Sequence, residues 1–411
     1  MTQQGPRRVV LAPDKFKGSL TAAEVAAALA EGIARSAPRT QVVRLPVADG
    51  GDGTVDAFLA AGWDRISLEA PGPTGRATPT VYARRGDTAV IELAAVVGLS
   101  KLLGGQWDPL HASTYGLGVV IAHALDRGAR DIVLGVGGSA STDGGAGMLQ
   151  ALGLRILDDA GVELPSGGRE SEDRAGRREV AHRAGVSRGR ARGVRGDASP
   201  RGGAALLYAA QVDRSGLHPA LEHARITLAS DVTNPLLGPN GAVAVYAPQK
   251  GASADDQVIL EAALENWARL IAPEQADRPG AGAAGGTGFG AMAVLGATPR
   301  PGIEVVLELI DFPAHLAAAD LVVTGEGSLD TQSLHGKAPM GVCAAARAAG
   351  IPVLAVAGRI QLSAAQVRAA GFAAAQALSD LEPNPERCIA NAADLLRRVG
   401  ERIGADGLRR P

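Results

Sequence analysis

The chain reads as an α/β protein of two domains, and three observations point there. Short apolar runs recur at 8–12, 41–46, 131–134, 226–229, 319–324 and 352–357, and most end in turns rich in Gly, Asp or Ser. Runs of that length bounded by turn residues read as buried strands rather than helices. Helix-start signals follow several of these turns, which is the rhythm of β-α units. The rhythm stops near Pro71-Gly72-Pro73, where 65–95 reads instead as short strands joined by Pro-Gly turns, and it returns after the Gly- and Ala-rich stretch 279–288. The first break reads as a domain crossing and the second as a hinge. A length of 411 residues independently suggests two domains with ample core.

Composition narrows the function classes. Lys+Arg 41 against Asp+Glu 43 gives a net charge of -2, so nothing global calls for a nucleic acid or a membrane surface. There is no signal-peptide pattern and no apolar run of membrane-spanning length, so a cytoplasmic location is expected. Cys343 and Cys388 lie among alanines without metal-ligand spacing and read as small core residues. Only five of the 41 basic residues are lysine, namely Lys15, Lys17, Lys101, Lys250 and Lys337. Where arginine serves nearly everywhere, a retained lysine marks a place that wants a compact charge rather than a planar fork. All but Lys101 lie in turns dense with Gly, Pro, Ser or Gln.

Taken in order, the first strand runs into Asp14, Lys15 and Lys17, then a T-A-A-E capping box at Thr21–Glu24 opens a helix to about Ser36. A strand-to-helix loop is where open α/β sheets bind ligands. The second strand leads to Asp49 and Asp52 in a glycine-rich loop, suited to a divalent cation or to hydroxyls, although an ordinary Asp-Gly turn reads the same way. Ser113-Thr114 caps a helix to about Arg127. The strand 131–134 then enters GVGGSASTDGGAGM from Gly135, with six glycines between strand and helix. Backbone N–H groups and hydroxyls in such a turn form an anion site, and its carboxylate, Asp143, can hold a cation that bridges phosphates. Residues 169–201 hold ten arginines and no lysine, and read as a disordered insertion. Beyond it, strand 226–229 ends at Asp231, and 241–247 reads as another strand. Ser253 caps a long amphipathic helix, 285–290 opens another, and Gly325–Asp330 forms the loop after strand 319–324.

Together APDKFKGSLTAAE from Ala12, VADGGDGT from Val47, GVGGSASTDGGAGM from Gly135, SDVTNPLLGPNGA from Ser230, PQKGA from Pro248, GGTGFGA from Gly285 and GEGSLDTQSLHGKAP from Gly325 resemble the type 1 glycerate kinase family. One such turn is unspecific; seven in register across nearly the whole chain are not. The resemblance implies a Rossmann-like (flavodoxin-like) parallel-sheet domain built from both termini, 1–72 and 285–411, and a distinct α/β middle domain, 73–284. It implies ATP-dependent phosphorylation of D-glycerate to 2-phosphoglycerate with Mg²⁺, in a monomer or homodimer. The alternatives are a 3-kinase of the same fold and a non-catalytic protein binding an anion, or binding RNA through the arginine segment. Residues 169–201 are the expected departure from the family.

Phosphoryl transfer asks for positioning and charge stabilisation more than covalent chemistry. By chemical type, Asp231 is assigned as base or hydroxyl-orienting residue, and Lys15 and Lys17 to the transferring phosphoryl group or the acceptor's carboxylate. Asp14, Asp49, Asp52, Gly137, Gly138, Ser139, Ser141, Thr142, Asn234, Gly288 and Lys337 are assigned to substrate and phosphate binding, and Asp143 and Glu326 to the metal.

Overall fold

The computed structural model describes residues 8–166, 201–334 and 337–405. The expected arginine-rich insertion lies outside the described residues, Arg201 excepted. The chain forms two compact units, Met1–Trp63 with Pro301–Pro411, and Asp64–Arg300. Strands β1 (Arg8–Pro13) and β2 (Gln41–Arg44) lie in the first unit. Strands β3 (Asp64–Pro71), β4 (Ala77–Arg85), β5 (Thr88–Glu92), β6 (Asp131–Gly135), β7 (Arg155–Leu157), β8 (Gln211–Asp213), β9 (Arg225–Ala229) and β10 (Thr298–Arg300) lie in the second. The first unit is completed by β11 (Leu321–Leu329), β12 (Val353–Ile360) and β13 (Ala374–Ala377).

In the first unit the sheet order is β13-β12-β11-β1-β2, with every pairing parallel. Its central strands β1, β11 and β12 are apolar because both faces are covered. Helix Ala22–Ser36 starts at the expected capping box, in which Thr21 Oγ1 accepts from Glu24 N–H and Glu24 accepts from Thr21 N–H. Its Val25, Leu29 and Ile33 pack with Leu396, Val399 and Ile403 of helix Ala392–Ala405. From β1 the chain proceeds to β2 on one side and later returns as β11 on the other. The loops at that reversal diverge and leave room for a ligand. The stretch Gly325–Leu329 is strand, not loop as expected, because pairing with β12 continues through Leu329 and Ile360. Gly325 permits it: a Cβ there would stand 1.7 Å from the Val356 carbonyl oxygen.

In the second unit the sheet order is β10-β9-β6-β5-β4-β3, antiparallel between β3, β4 and β5 and parallel from β5 to β10. Strands β7 and β8 form a separate two-stranded ladder. The core gathers Tyr82, Leu117, Ile121, Met148, Leu264, Trp267 and Phe289, all fully buried. The units divide at 63/64 and 300/301, whereas the sequence reading put crossings at 72 and 285; β3 and β10 stay with the second unit because they pair with β4 and β9. The stretch expected to be a hinge is close-packed. A Cβ on Gly282 would lie 2.2 Å from the Pro235 carbonyl oxygen, and one on Gly288 2.1 Å from that of Gly280. Residues 241–247 are also corrected. Alternating Val and Ala suggested a strand, but Ala242–Tyr246 is a short helix packed on helix Ala283–Leu295.

Candidate functional site

The first unit gathers charge where β1, β2 and β11 end. Asp14 follows β1, and its Oδ1 accepts from Lys15 N–H at 2.6 Å. Burial first, and then the neighbouring Asp49 carboxylate, push the Asp14 carboxyl up to about 7, against the pull of Lys15. Asp49 sits in a tight turn, accepting from Gly51 N–H at 3.1 Å. The Lys15 ammonium donates to the Asp52 carbonyl and lies 3.7 Å from the Asp52 carboxylate. Glu326, within β11, is buried, and its Oε1 makes no hydrogen bond among the described residues. Burial raises its carboxyl above the ordinary range; Ser333 and Lys337 draw it down, while Asp330 and Asp49 add repulsion. Lys337 stands at the start of helix Ala338–Ala348, its Nζ 3.9 Å from Glu326 Oε2. Lys17 is exposed on the same β1 loop. The fold thus brings Asp14, Lys15, Asp49, Asp52, Glu326 and Lys337 to one end of one sheet.

The second unit holds the glycine-rich loop after β6. Gly137 is half-buried and Gly138 exposed with φ 72°, so the loop's tip reaches solvent. Beyond the tip the loop turns inward: Ser141, Thr142 and Asp143 are fully buried. Asp143 Oδ2 accepts from Thr114 N–H at 2.7 Å, Thr114 Oγ1 at 2.9 Å and Gly147 N–H at 3.3 Å, and Oδ1 accepts from Gly145 N–H at 3.2 Å. Burial raises its carboxyl, and these four donors oppose that. The carboxylate therefore caps two helix starts, Tyr115–Asp126 and Ala146–Ala151, whose N–H groups need acceptors. Oδ2 is thereby saturated from within the chain, while Oδ1 accepts a single hydrogen bond. The expected capping of the first helix is corrected: Thr114 has no cap hydrogen bond, because its hydroxyl serves Asp143 and accepts from Met148 N–H at 2.9 Å.

The other assigned residues of this unit follow β9 or lie within helix Ala283–Leu295. Asp231 is exposed just past β9. Asn234 spends its amide locally, donating to the Asn240 carbonyl at 2.8 Å and accepting from Tyr246 Oη at 2.7 Å. Gly288 is buried within helix Ala283–Leu295.

The residue that sequence reading missed is Lys250. It is 2% exposed, and its Nζ donates to Ser139 Oγ at 2.8 Å and to the Ser141 carbonyl. Burial pushes its ammonium down to about 7, with Asp143 opposing. Around it Ala284, Gly285 and Gly286 are all left-handed, with φ of 53°, 67° and 87°. Such a run is costly for Ala284 and feasible because two glycines follow. A Cβ on Gly285 would stand 2.2 Å from the Ser141 carbonyl oxygen and 2.9 Å from Lys250 Nζ. The signal was present in the scarcity of lysine.

Among the described residues no group of three or more His, Cys, Asp or Glu is arranged to hold a metal, and no helix is long and apolar enough to cross a membrane. The model of the glycerate kinase family matches residues 9–178 and 188–406. Only 179–187 of the arginine-rich segment falls outside that match, which corrects the expectation that all of 169–201 departs from the family. A glycerate kinase of Bacillus subtilis is 38% identical over 408 residues, 97% of each chain. A glycerate 2-kinase of Escherichia coli is 40% identical over 361 residues, 86% of this chain and 85% of that one. The crystal structure of a candidate glycerate kinase 2 from Salmonella typhimurium LT2 superposes with a TM-score of 0.79 at 36% identity, covering 98% of this chain and 99% of that chain.

Proposed function

This chain belongs to the glycerate kinase family, and on that premise we propose that it transfers the γ-phosphoryl group of ATP to the 2-hydroxyl of D-glycerate, giving 2-phosphoglycerate and ADP. The observation that carries the reading is the division of polar chemistry between the units. One presents a glycine-rich turn with buried hydroxyls and a lysine, and the other a half-open cluster of carboxylates and lysines.

In the second unit, Gly137, Gly138 and Ser139 supply donors to phosphate oxygens, the tip being the part of the loop that solvent reaches. In the first unit, Lys15 and Lys337 are point charges suited to the glycerate carboxylate or the transferring group. Lys17 shares the first of these loops and the same assignment. Glu326 fits Mg²⁺, because its buried Oε1 lacks a hydrogen-bond partner among the described residues and its carboxyl is held up by burial and by nearby acids. Mg²⁺ typically takes one or two carboxylates plus phosphate oxygens. When bound, the ion neutralises charge building on the phosphates.

Asp231 is the proposed acceptor of the hydroxyl proton, its carboxylate exposed beyond a strand end. A positioned base contributes ~10²–10⁴-fold. Asp231→Asn should therefore lower kcat by about that factor while the thermal midpoint holds. Unchanged kcat would remove it from the reaction. The function itself is tested by initial rates of ADP release with MgATP and D-glycerate. Saturable release dependent on D-glycerate is expected, and its absence would refute the kinase reading.

A further inference from the structure

Lys250 is charged, buried and attached to the glycine-rich loop, yet none of the roles above uses it. An ammonium carries three donors and no acceptor. Ser139 Oγ must then accept from it, at 2.8 Å, which leaves the serine's own proton to point elsewhere. The same Nζ holds the Ser141 carbonyl. In a planar trans peptide the C=O and the following N–H point in opposite directions, so the Thr142 N–H is turned away from the lysine. Two more polar atoms of this stretch, Ser141 Oγ and Thr142 Oγ1, are buried and without hydrogen-bond partners among the described residues. Buried hydroxyls without a partner among the described residues are what a ligand-binding turn leaves over.

We propose that Lys250 is the positioning residue of this loop: its buried ammonium fixes the Ser139 hydroxyl and the Ser141–Thr142 peptide so that their N–H and O–H donors face the phosphate chain of a bound nucleotide. This rests on the nucleotide-binding reading above and adds the group that orients its donors. The size of the pocket explains the choice of lysine. Nζ lies so close to Gly285 that even a methyl group there would stand 2.9 Å from it, which leaves no room for a guanidinium fork. The strained run Ala284–Gly286 is then the backbone's accommodation to the ammonium. The depressed pKa of Lys250 agrees with an amine that solvent does not reach.

The test is a double-mutant cycle of Lys250→Met and Ser139→Ala, read by equilibrium affinity for ADP, by kcat and KM, and by the thermal midpoint. If Lys250 acts through Ser139, Lys250→Met loses at least about tenfold in ADP affinity and ~10²-fold in kcat, the scale of one preorganised donor. Its KM for D-glycerate stays within about twofold. The double variant loses no more than Lys250→Met alone, because the two residues act as one unit. Wild-type ADP affinity in Lys250→Met, or losses that add in the double variant, would overturn the proposal. Should Lys250→Met not fold, Lys250→Gln is read by the same criteria. The ADP measurement does not depend on glycerate being the acceptor, so failure of the kinase reading and failure of Lys250's role give different results.

Discussion

The two units handle polar side chains in opposite ways. In the glycine-rich loop of the second unit, Asp143 accepts four hydrogen bonds from the chain and Lys250 is spent on Ser139 and Ser141. Around β1 and β11 of the first unit, burial and the Asp49 carboxylate raise the proton affinity of Asp14 and of Glu326, and Glu326 Oε1 has no hydrogen-bond partner among the described residues. The charged groups of the first arrangement are engaged within the chain, and Glu326 of the second is left with an unpartnered oxygen among the described residues. Charge inside the closed loop therefore builds the site, whereas charge in the open cluster waits for something to neutralise it.

The comparison breaks most visibly at Asp143. If that carboxylate is structural, Asp143→Asn leaves a buried amide facing N–H donors and should cost about 3 kcal/mol in urea unfolding, the scale of a broken buried charge network. Activity lost through it should not return at high Mg²⁺. Preserved stability with Mg²⁺ rescue would instead make it a metal ligand.

Lys15 sharpens the other side. A lysine that meets a phosphoryl group or carboxylate as a point charge should not be replaceable by arginine, so Lys15→Arg should fall roughly 10²-fold in kcat/KM, nearly as far as Lys15→Ala. An arginine variant with wild-type kinetics would return Lys15 to the surface. Glu326→Gln comes next. It should weaken Mg²⁺ roughly 10–100-fold, as loss of a metal-supporting group does, with little change in folding. An unaltered Mg²⁺ requirement would contradict that role.

The last effect is a pH dependence. The Asp14 carboxyl stands near 7 in the fold against 3.8 ordinarily. Between those values the folded state keeps a proton that the unfolded state has lost, so this group's contribution is full below about pH 4 and declines as pH rises toward 7. Without Mg²⁺, Asp14→Asn should melt higher than wild type at pH 8, and the gain should vanish by pH 4. A difference that is independent of pH would show that Asp14 is not under this repulsion.

The sequence told more of the fold than of the roles. Helix Ala22–Ser36 was legible because Thr21 and Glu24 bond to each other's backbone, which is a local device. The strands beneath the loops were legible because burial on both faces demands continuous apolar runs. The continuation of β11 through Glu326 was not, since Gly325 and Gly327 look like a turn until their pairing with β12 is seen. Asp143 was illegible for a related reason. Its donors at Thr114 are 29 residues away, and nothing nearby in the chain distinguishes a capping carboxylate from a metal-binding one. Lys250 lies 111 residues from Ser139. Only its rarity as a lysine marked it, and rarity carries no direction.

The proposed reaction and the position of the phosphate it leaves can be read in one experiment. ³¹P and ¹H NMR of the product formed from D-glycerate and MgATP reads both at once. The account predicts 2-phosphoglycerate in equal amount to ADP. A 3-phosphoglycerate product would contradict the assigned position, and an unchanged D-glycerate spectrum would contradict the reaction itself.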